Sequence, residues 1–297
     1  MFRLARPAMA CEFEIIFEHD AQGLIDIANL AFEDIARLDR ELSCFNPSSE
    51  VSHLNDEAAH RAVMVTPDLF EILSVARDIW KSSDGAFDIT AGPLIELWRQ
   101  AERSGMAPEK QAIEDALAKV GMGSVILDEP THEVKFDKTG LKINLGAIGK
   151  GFAVRQAVSI LREYGVTSAL VSGGGSTIQS IGSWNVGIRH PSRIDKRVAE
   201  IELQDQAMST SGGPAQRDPN IEEHFEHIID PKTGEAANSA AASVSVITND
   251  AMIADALSTV FYLRGAGMIA TYPGVRALFI DADGCIEDLI SNGEEYD

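Results

Sequence analysis

Cysteine and long hydrophobic runs are both scarce in this sequence. The three cysteines among 297 residues, Cys11, Cys44 and Cys285, are too few and too scattered for a disulfide framework or a thiolate metal site. No uninterrupted run of about 18 apolar residues is present, so no membrane span is expected. Residues 8–11 resemble a lipoprotein cleavage site, but the preceding apolar region is lacking and no signal peptide is predicted. These absences favour a cytoplasmic protein in a reducing compartment.

Positive charge is also in short supply. Lys and Arg number 25 against 46 Asp and Glu, so the formal net charge is −21. A surface that binds nucleic acid needs clustered cations, and this balance therefore argues against a nucleic acid partner. An anionic ligand would have to be held locally by a helix N-terminus, by glycine-rich backbone or by a divalent cation.

The apolar residues, 45% of the chain, are spaced in the patterns of both helices and strands. A repeat of 3.5 residues from Leu24 to Leu42 predicts an amphipathic helix, and Thr66 followed by Pro67 is typical of a helix start. The predicted helices cover about 21–42, 67–82, 107–119, 149–164 and 250–264. The predicted strands cover about 12–17, 124–128, 133–137, 141–145, 166–171, parts of 183–206, and 243–248. Because strands and helices neither alternate strictly nor segregate fully, their order predicts an α+β fold.

Two glycine-rich segments have two interpretations each. Residues 144–151, NLGAIGKG, are predicted to form a strand, a turn and a helix start, but they match neither GxxxxGK[ST] nor GxGxxG. The turn could pack the helix against its neighbours, or its N–H groups could bind phosphate. Lys150 favours phosphate, because a cation at a helix start opposes the helix dipole and needs an anion nearby. Residues 172–176, SGGGS, could be a sharp turn or a close backbone approach to a ligand.

Three further segments carry polar residues that could take part in chemistry. For residues 84–93 the favoured interpretation is a capping turn, in which Asp84 accepts backbone N–H groups and Phe87 anchors the loop. His227 is a candidate general base, although a single histidine is more often solvated or structural. Asp255 and Thr259 share one helix face and offer two oxygen ligands suited to Mg²⁺; the alternative is a surface acid and a threonine bonded back to its helix. The motifs of serine hydrolases and zinc proteases are absent.

Taken together and in this order, the segments resemble the FAD:protein FMN transferase family, the ApbE-like flavin transferases. The resemblance runs from about Met9 to Gly265. The matching segments are MACEF at 9–13, LSCFNPSSEVSHLN at 42–55, DGAFDITAGPL at 84–94, NLGAIGKGFA at 144–153, GGG at 173–175, STSG at 209–212, HIIDPKTG at 227–234 and ADALST at 254–259. Each segment alone is unspecific, whereas the eight in sequence are characteristic.

The resemblance implies an Mg²⁺-dependent enzyme that splits FAD at its pyrophosphate, joins FMN through its phosphate to a threonine or serine of an acceptor protein, and releases AMP. It also implies one ApbE-like domain over 1–297, or two interlocked lobes, with mixed and largely antiparallel sheets, flanking helices and a flavin nucleotide cleft between the lobes. Two alternatives stay open: an FAD-binding protein without transfer activity, and an FAD pyrophosphatase that yields FMN and AMP.

The same resemblance assigns residues to these roles. Asp255, Thr259 and the backbone carbonyl of Ala147 are the expected metal ligands, and His227 is the expected base for the proton of the acceptor hydroxyl. The positions expected to line the FAD site are Met9, Phe45, Ala86, Phe87, Asp88, Asn144, Lys150 and Ile228. Phe45 offers a flat apolar face on which a flavin or adenine ring could stack.

The sequence departs from the family pattern at three positions. Asn144 and Arg155 stand where the family commonly has Asp, and Gly213 stands where an acidic residue is frequent. None of the three is an expected metal ligand, so the prediction of an enzyme is kept. Because the expected partner of the Asp255 carboxylate is an ion, Asp255→Ala is predicted to abolish Mg²⁺-dependent turnover and to leave the fold intact.

Overall fold

The computed structural model describes residues 1–19, 23–193, 195–212 and 228–291. The helices are α1 Leu24–Leu42, α2 Glu50–Glu57, α3 Pro67–Ser82, α4 Gly92–Ser104, α5 Lys110–Leu117, α6 Gly149–Glu163 and α7 Ala251–Arg264. The strands are β1 Phe2–Ala8, β2 Cys11–Phe17, β3 Val63–Met64, β4 Val125–Asp128, β5 Glu133–Phe136, β6 Ala169–Gly173, β7 Thr177–Ile181, β8 Ser183–Arg189, β9 Arg197–Gln204, β10 Ala207–Gly212, β11 Ser243–Thr248, β12 Arg276–Ile280 and β13 Ile286–Ile290. No helix within these ranges has the length and apolarity that crossing a bilayer requires.

The described chain divides into two compact units, and the first contains the described residues within 1–39, 148–216 and 239–297. Its eight-stranded sheet has the order β1-β2-β6-β7-β10-β11-β12-β13. All neighbouring strands in this sheet are antiparallel. Strands β6, β7 and β11 are buried along their whole length. Burial of successive residues means that both faces of the sheet are covered at its centre.

Helices α6 and α7 pack against each other; α6 also packs on β6 and β7, and α7 on β7, β10 and β11. Ten of the 14 residues of α7 are buried, as expected for a helix that is apolar around most of its circumference. Asp250 caps its N-terminus by accepting the N–H groups of Met252 and Ile253. Asp255 is the charged residue among the ten buried ones, and a buried carboxylate requires partners.

Strands β8 and β9 form a separate two-stranded antiparallel sheet within the first unit. The burial of β8 alternates strictly, with Trp184, Val186 and Ile188 buried and the residues between them exposed. The buried side chains pack into one apolar cluster with Leu203 of β9 and Leu278 of β12. The hairpin therefore covers part of the eight-stranded sheet.

The second unit contains the described residues within 40–147 and 217–238. It has a three-stranded antiparallel sheet in the order β3-β5-β4. Leu94 of α4 and Ala116 of α5 share an apolar cluster with Val120 and Ile229. The Trp98 side chain is tied down by its indole N–H, which donates to the carbonyl of Gly234 at 2.8 Å. One domain over 1–297 remains a prediction.

The predicted strand at 141–145 was wrong. Leu141, Ile143 and Leu145 are buried in alternation, which is the pattern that suggested a strand. The main chain of Ile143 pairs with a side chain instead of a strand: its N–H donates to Asn55 Oδ1 at 2.6 Å, and its carbonyl accepts from Asn55 Nδ2 at 3.0 Å. An amide side chain carries one acceptor and one donor group, so it can replace a neighbouring peptide group.

Helix α4 was missed in the sequence because Gly92 and Pro93 were taken as the end of a loop motif. Proline is favoured at the first helical positions, since the N–H that it lacks has no helical partner there. Two other elements have different bounds: the helix is shorter than predicted, and the strand begins and ends later than predicted. The helix expected at 107–119 is α5, Lys110–Leu117, and the strand expected at 166–171 is β6, Ala169–Gly173.

Candidate functional site

Asp255 lies in the first unit at the point where two helices and two strands meet. The residue is 6% exposed. Its Oδ1 accepts hydrogen bonds from the hydroxyl groups of Thr177 on β7 and Ser209 on β10, each at 3.0 Å. Its Oδ2 accepts the backbone N–H of Gly151 on α6 at 2.9 Å. Both carboxylate oxygens therefore have protein donors.

These contacts correct the expectation that Asp255→Ala leaves the fold intact. The carboxylate accepts hydrogen bonds from three buried protein donors. A buried donor that loses its acceptor costs about 1–3 kcal/mol of stability. The sequence does not show these contacts, because Thr177 and Ser209 are 78 and 46 residues away in the chain.

Gly151 is required for close packing of α6 on α7. A Cβ at this position would lie 2.3 Å from the carbonyl oxygen of Ala251 and 2.7 Å from the Cα of Met252. Helix α6 has no side-chain cap at its own N-cap residue, and the Asp255 carboxylate supplies the negative charge that a helix N-terminus favours. The packing interpretation of the 144–151 segment is thus confirmed at Gly151, and phosphate binding by the turn stays a prediction.

Thr259 lies one turn after Asp255 on α7. Its hydroxyl oxygen lies 3.4 Å from Ser211 Oγ of β10, which lies 2.7 Å from Ser258 Oγ. The hydroxyl that bonds back to the helix is that of Ser258, which donates to the carbonyl of Asp255 at 2.8 Å. Because this is its one hydrogen-bonding neighbour in the described part of the chain and it is this distant, the Thr259 hydroxyl keeps capacity for a further ligand.

The carboxylate of Asp255 and the hydroxyl of Thr259 carry oxygen atoms, the ligand type that hard divalent cations prefer. Among the described residues, Oδ2 of Asp255 has a single protein donor, and a carboxylate oxygen has room for a second partner. In the described ranges, no group of three or more His, Cys, Asp or Glu residues gathers around one point. Mg²⁺ sites commonly use one or two carboxylates and take their remaining ligands from substrate phosphates and water. A site with one carboxylate therefore suits Mg²⁺ on a phosphate-bearing substrate.

Two tight turns lie at the same end of the eight-stranded sheet. Met9 and Ala10 form the two-residue turn between β1 and β2 with φ of 49° and 57°, a region that usually favours Gly or Asn. The second turn joins β6 to β7, and a Cβ on its Gly174 would lie 3.0 Å from the Cβ of Cys11. The interpretation of residues 172–176 as a sharp turn is confirmed, and a role in ligand binding stays a prediction.

Cys11 connects this end of the sheet to the site around Asp255. Burial raises the pKa of the Cys11 thiol, the positive charge of Lys150 lowers it, and the negative charges of Asp39 and Asp255 raise it. Lys150 and Asp255 therefore lie within electrostatic range of the same thiol. Two residues that the sequence assigned to ligand binding are thus brought to one region of the first unit.

Replacing Lys150 with methionine should raise the pKa of Cys11 further, since a stabilising positive charge is removed from its thiolate. The thiolate is the reactive form, so alkylation of Cys11 by iodoacetamide at pH 8 should become slower. Peptide mass spectrometry follows each cysteine separately, and the exposed Cys285 is an internal reference. An unchanged ratio of the Cys11 rate to the Cys285 rate would contradict the placement of Lys150.

Within the second unit, Phe45 and Asn144 line one cavity of about 400 Å³. Phe45 is 66% exposed, and the guanidinium of Arg99 lies 4.2 Å from the centre of its ring. Asn144 donates from Nδ2 to the Cys44 sulfur at 3.3 Å and accepts the N–H of Gly146 at 2.9 Å. The cavity thus offers an aromatic face, an amide and positive charge.

The cationic side of this cavity comes from one face of α4 and from Lys142. Lys142 is paired with Glu96 at 3.1 Å. Arg99 and Arg103 also line the cavity, and neither has a carboxylate oxygen within 4 Å among the described residues. In a chain with a net charge of −21, this local excess of positive charge suits an anionic ligand.

The other predicted FAD-lining residues of the 84–94 segment are placed differently. Phe87 is 2% exposed and anchors the loop as predicted. The Asp88 carboxylate accepts the backbone N–H of Thr90 at 2.8 Å and that of Met122 at 3.0 Å. Burial raises the pKa of Asp88, and these hydrogen bonds partly offset that effect. Asp88 lines a second cavity, of about 600 Å³, and not the one around Phe45.

Several predicted residues are not tested by these contacts. Ala86 is buried beside Phe87. Ala147 belongs to the second unit, as does Ile228, whose carbonyl accepts the N–H of Ala237 at 2.8 Å. His227 lies outside the described residues. Their roles in binding and catalysis stay predictions.

The departures from the family pattern have local explanations where the structure describes them. Arg155 of α6 bonds Asp250, the N-cap of α7, at 3.3 Å, and its guanidinium lies 4.9 Å from the ring centre of Phe152. Its charge therefore supports the packing of α6 on α7. Asn144 closes its own turn through Gly146. Gly213 lies outside the described residues.

Comparison with known proteins gives one consistent result. The model of the ApbE family matches residues 9–279. A curated FAD:protein FMN transferase from Treponema pallidum is 30% identical over 266 residues, which cover 82% of this chain and 73% of that protein. One from Klebsiella pneumoniae is 27% identical over 270 residues, covering 89% of this chain and 84% of that protein.

Solved structures give the same fold. The ApbE protein from Thermotoga maritima superposes with a TM-score of 0.86 and 29% identity, and 96% of each chain is covered. The flavin transferase ApbE from Vibrio cholerae superposes with a TM-score of 0.82 at 23% identity, covering 98% of this chain and 96% of that one. The predicted α+β fold with mixed, largely antiparallel sheets and flanking helices is confirmed.

Proposed function

Because the chain belongs to the ApbE family, we propose that it transfers FMN from FAD to a threonine or serine hydroxyl of an acceptor protein, with release of AMP. The curated relatives carry the name FAD:protein FMN transferase, and the prediction of a transferase enzyme is confirmed at that level. Dependence on Mg²⁺, the acceptor side chain, the flavin cleft and the cytoplasmic location are parts of the proposal.

The observation that carries the proposal is the position of Asp255 within the first unit. Its carboxylate accepts an N–H group at the N-terminus of α6, the helix that begins in the glycine-rich segment. The carboxylate and the Lys150 ammonium group both act electrostatically on the Cys11 thiol. One negative and one positive group are thus placed beside a helix start, which favours a phosphate and its counter-ion. No covalent enzyme intermediate is needed, since phosphoryl transfer depends mainly on positioning and charge neutralisation.

The residues proposed to hold Mg²⁺ are Asp255 through Oδ2, Thr259 through its hydroxyl, and Ala147 through its backbone carbonyl. Mg²⁺ held by these residues would supply positive charge that offsets the negative charge of the pyrophosphate. Lys150 adds a fixed positive charge for the same phosphates. In a protein with net charge −21, this compensation must be local.

The cavity around Phe45 is proposed to hold a ring of FAD. Stacking needs a flat apolar face, and 66% of the Phe45 surface is exposed. The guanidinium of Arg99 covers the ring at 4.2 Å from its centre, so one face remains for the ligand. Asn144 supplies hydrogen-bonding groups to the same cavity. Met9, Ala86, Phe87, Asp88 and Ile228 remain proposed contacts of FAD.

The transfer step exchanges one phosphorus–oxygen bond for another. The hydroxyl oxygen of the acceptor forms a bond to the phosphorus of the FMN half, and the bond from that phosphorus to the bridging oxygen breaks. The electron pair leaves with the bridging oxygen on AMP. His227 is proposed to take the proton of the attacking hydroxyl, because general bases are most effective when their pKa lies near the working pH.

The test is to incubate the purified protein with FAD, Mg²⁺ and a threonine-bearing acceptor and to measure the intact mass of the acceptor. We expect a mass increase of one covalently attached FMN, and none when the target residue is replaced by valine. Free FMN and AMP with an unmodified acceptor would indicate a pyrophosphatase. Bound FAD without any AMP would indicate a binding protein. Either result, with an acceptor that other family members modify, would contradict the proposal.

A further inference from the structure

We propose that Ser209 and Thr177 are positioning residues for the metal site: their hydroxyl groups fix the Asp255 carboxylate so that Oδ2 faces the metal. This inference rests on the proposed function, because it takes the Mg²⁺ site at Asp255 and Thr259 as its starting point. It concerns residues that do not themselves touch the metal.

The two hydroxyl groups are placed by neighbouring strands below α7. Strands β7 and β10 are paired, with Thr177 directly opposite Ser209. Both residues are fully buried, and both hydroxyl oxygens lie 3.0 Å from Oδ1 of Asp255. Neither hydroxyl bonds Oδ2, whose protein donor is the N–H of Gly151 at 2.9 Å. The two carboxylate oxygens therefore have different surroundings.

The number of hydroxyl protons limits how Thr177, Ser209 and Asp255 can hydrogen-bond to one another. The oxygens of Thr177, Ser209 and Asp255 make three mutual contacts, at 2.9, 3.0 and 3.0 Å. Each hydroxyl has only one proton to donate. Both protons can point to an ionised Oδ1, which is then saturated by donors. The remaining open position of the carboxylate is on Oδ2, and this is where a cation can bind.

Strand β10 places a serine hydroxyl beside each of the two expected metal ligands on α7. Successive residues of a strand point to opposite faces, so Ser209 and Ser211 share the face that meets α7. Ser209 bonds Asp255, and Ser211 contacts Ser258 and Thr259. Thr210 points to the other face and bonds Ser245 at 2.8 Å. Thr210 therefore serves as a control residue on the same strand, since its hydroxyl does not face the proposed metal ligands.

The test compares Ser209→Ala and Thr177→Val with Thr210→Ala. Binding of Mn²⁺, used as a probe for the Mg²⁺ site, is measured by electron paramagnetic resonance on the protein without FAD. Loss of a hydrogen bond to a metal ligand typically weakens metal binding by about 10–100-fold, and we expect this range for Ser209→Ala. We expect Thr210→Ala to change the Mn²⁺ affinity less than about twofold. Ser209→Thr and Thr177→Ser keep a hydroxyl group at each position and should bind Mn²⁺ with the wild-type affinity.

Turnover supplies the second measurement. For Ser209→Ala the Mg²⁺ concentration that gives half-maximal rate should rise by the same factor, while the KM for FAD at saturating Mg²⁺ stays unchanged. Equal Mn²⁺ affinities for Ser209→Ala and Thr210→Ala, or no Mn²⁺ binding by the wild type, would overturn the inference. Weakened Mn²⁺ binding in a protein that never modifies an acceptor would instead refute the proposed function and leave the positioning role intact. Should Ser209→Ala not fold, Thr177→Val and Thr177→Ser provide the same comparison.

Discussion

Replacing Asp255 with alanine is expected to remove Mg²⁺-dependent FMN transfer and to destabilise the protein at the same time. Three buried donors, from Gly151, Thr177 and Ser209, lose their acceptor. At about 1–3 kcal/mol for each donor left unpaired, the free energy of unfolding should fall by about 3 kcal/mol or more. The charge stabilisation lost with the metal is worth several kcal/mol. This corresponds to a decrease in rate of at least about 10³-fold. Denaturant unfolding and acceptor mass spectrometry measure the two effects.

Asp255→Asn separates these effects. Its amide oxygen can accept from Gly151, and its NH₂ group can donate to the hydroxyl oxygens of Thr177 and Ser209 after those hydroxyls rotate. We therefore expect the unfolding free energy to stay within about 1 kcal/mol of the wild type, while the activity is lost with the negative charge. If Asp255→Asn transferred FMN at the wild-type rate, the metal site would be elsewhere. If Asp255→Ala were as stable as wild type, the hydrogen bonds would not matter for folding.

The second large effect is expected for Gly151→Ala. The added methyl group would lie 2.3 Å from the Ala251 carbonyl oxygen, 2.7 Å from the Cα of Met252 and 2.7 Å from the Cβ of Asp255. Two of these atoms belong to the backbone and cannot rotate away, so α6 must move off α7. Overpacking of this kind costs about 3 kcal/mol at the upper end of its usual range. The shift also moves the N–H of Gly151 away from Asp255, and transfer activity should fall at least about tenfold, as for the loss of a hydrogen bond to a metal ligand.

Gly267→Ala is the matched control for this prediction. Gly267 also lies in the first unit. A Cβ added at Gly267 would meet no atom within 4 Å. Its φ is not positive, so alanine should be neutral or stabilise the protein by about 0.5 kcal/mol. Thermal unfolding of both variants tests the comparison. If the two midpoints were equal, α6 and α7 would be less tightly packed than the structure indicates.

Local sequence signals predicted the helices that have clear boundaries. Thr66 accepts the N–H of Leu69 and is followed by proline at the start of α3, as predicted. The last helix begins after Asp250 and ends before Gly265 at φ 75°, also as predicted. These boundaries depend on contacts within one turn of the chain, and such contacts can be inferred from residue type and order.

Boundaries that depend on tertiary contacts were not predictable in this way. The buried alternation at 141–145 is real, but the partner of Ile143 is the side chain of Asn55, 88 residues earlier. Periodicity reports which residues are buried and not which group completes their hydrogen bonds. The same limit explains why strands β7, β10 and β12 were not predicted as separate elements.

The candidate site was predictable where its residues share one helix and not where they come from different strands. Asp255 and Thr259 were identified because their spacing places both on one face of α7. Thr177, Ser209 and Ser211 were not identified, since a serine or threonine in a strand gives no signal of what lies above it. The STSG segment at 209–212 contributed to the family resemblance, and its alternating serines were the available clue.

The most direct test of the account is to quantify AMP and flavin-modified acceptor in the same reaction while Mg²⁺ is titrated. The account predicts one AMP for each modified acceptor at every Mg²⁺ concentration, no product without a divalent cation, and neither product with Asp255→Asn. AMP released together with free FMN while the acceptor stays unmodified, or equal yields from wild type and Asp255→Asn, would contradict it.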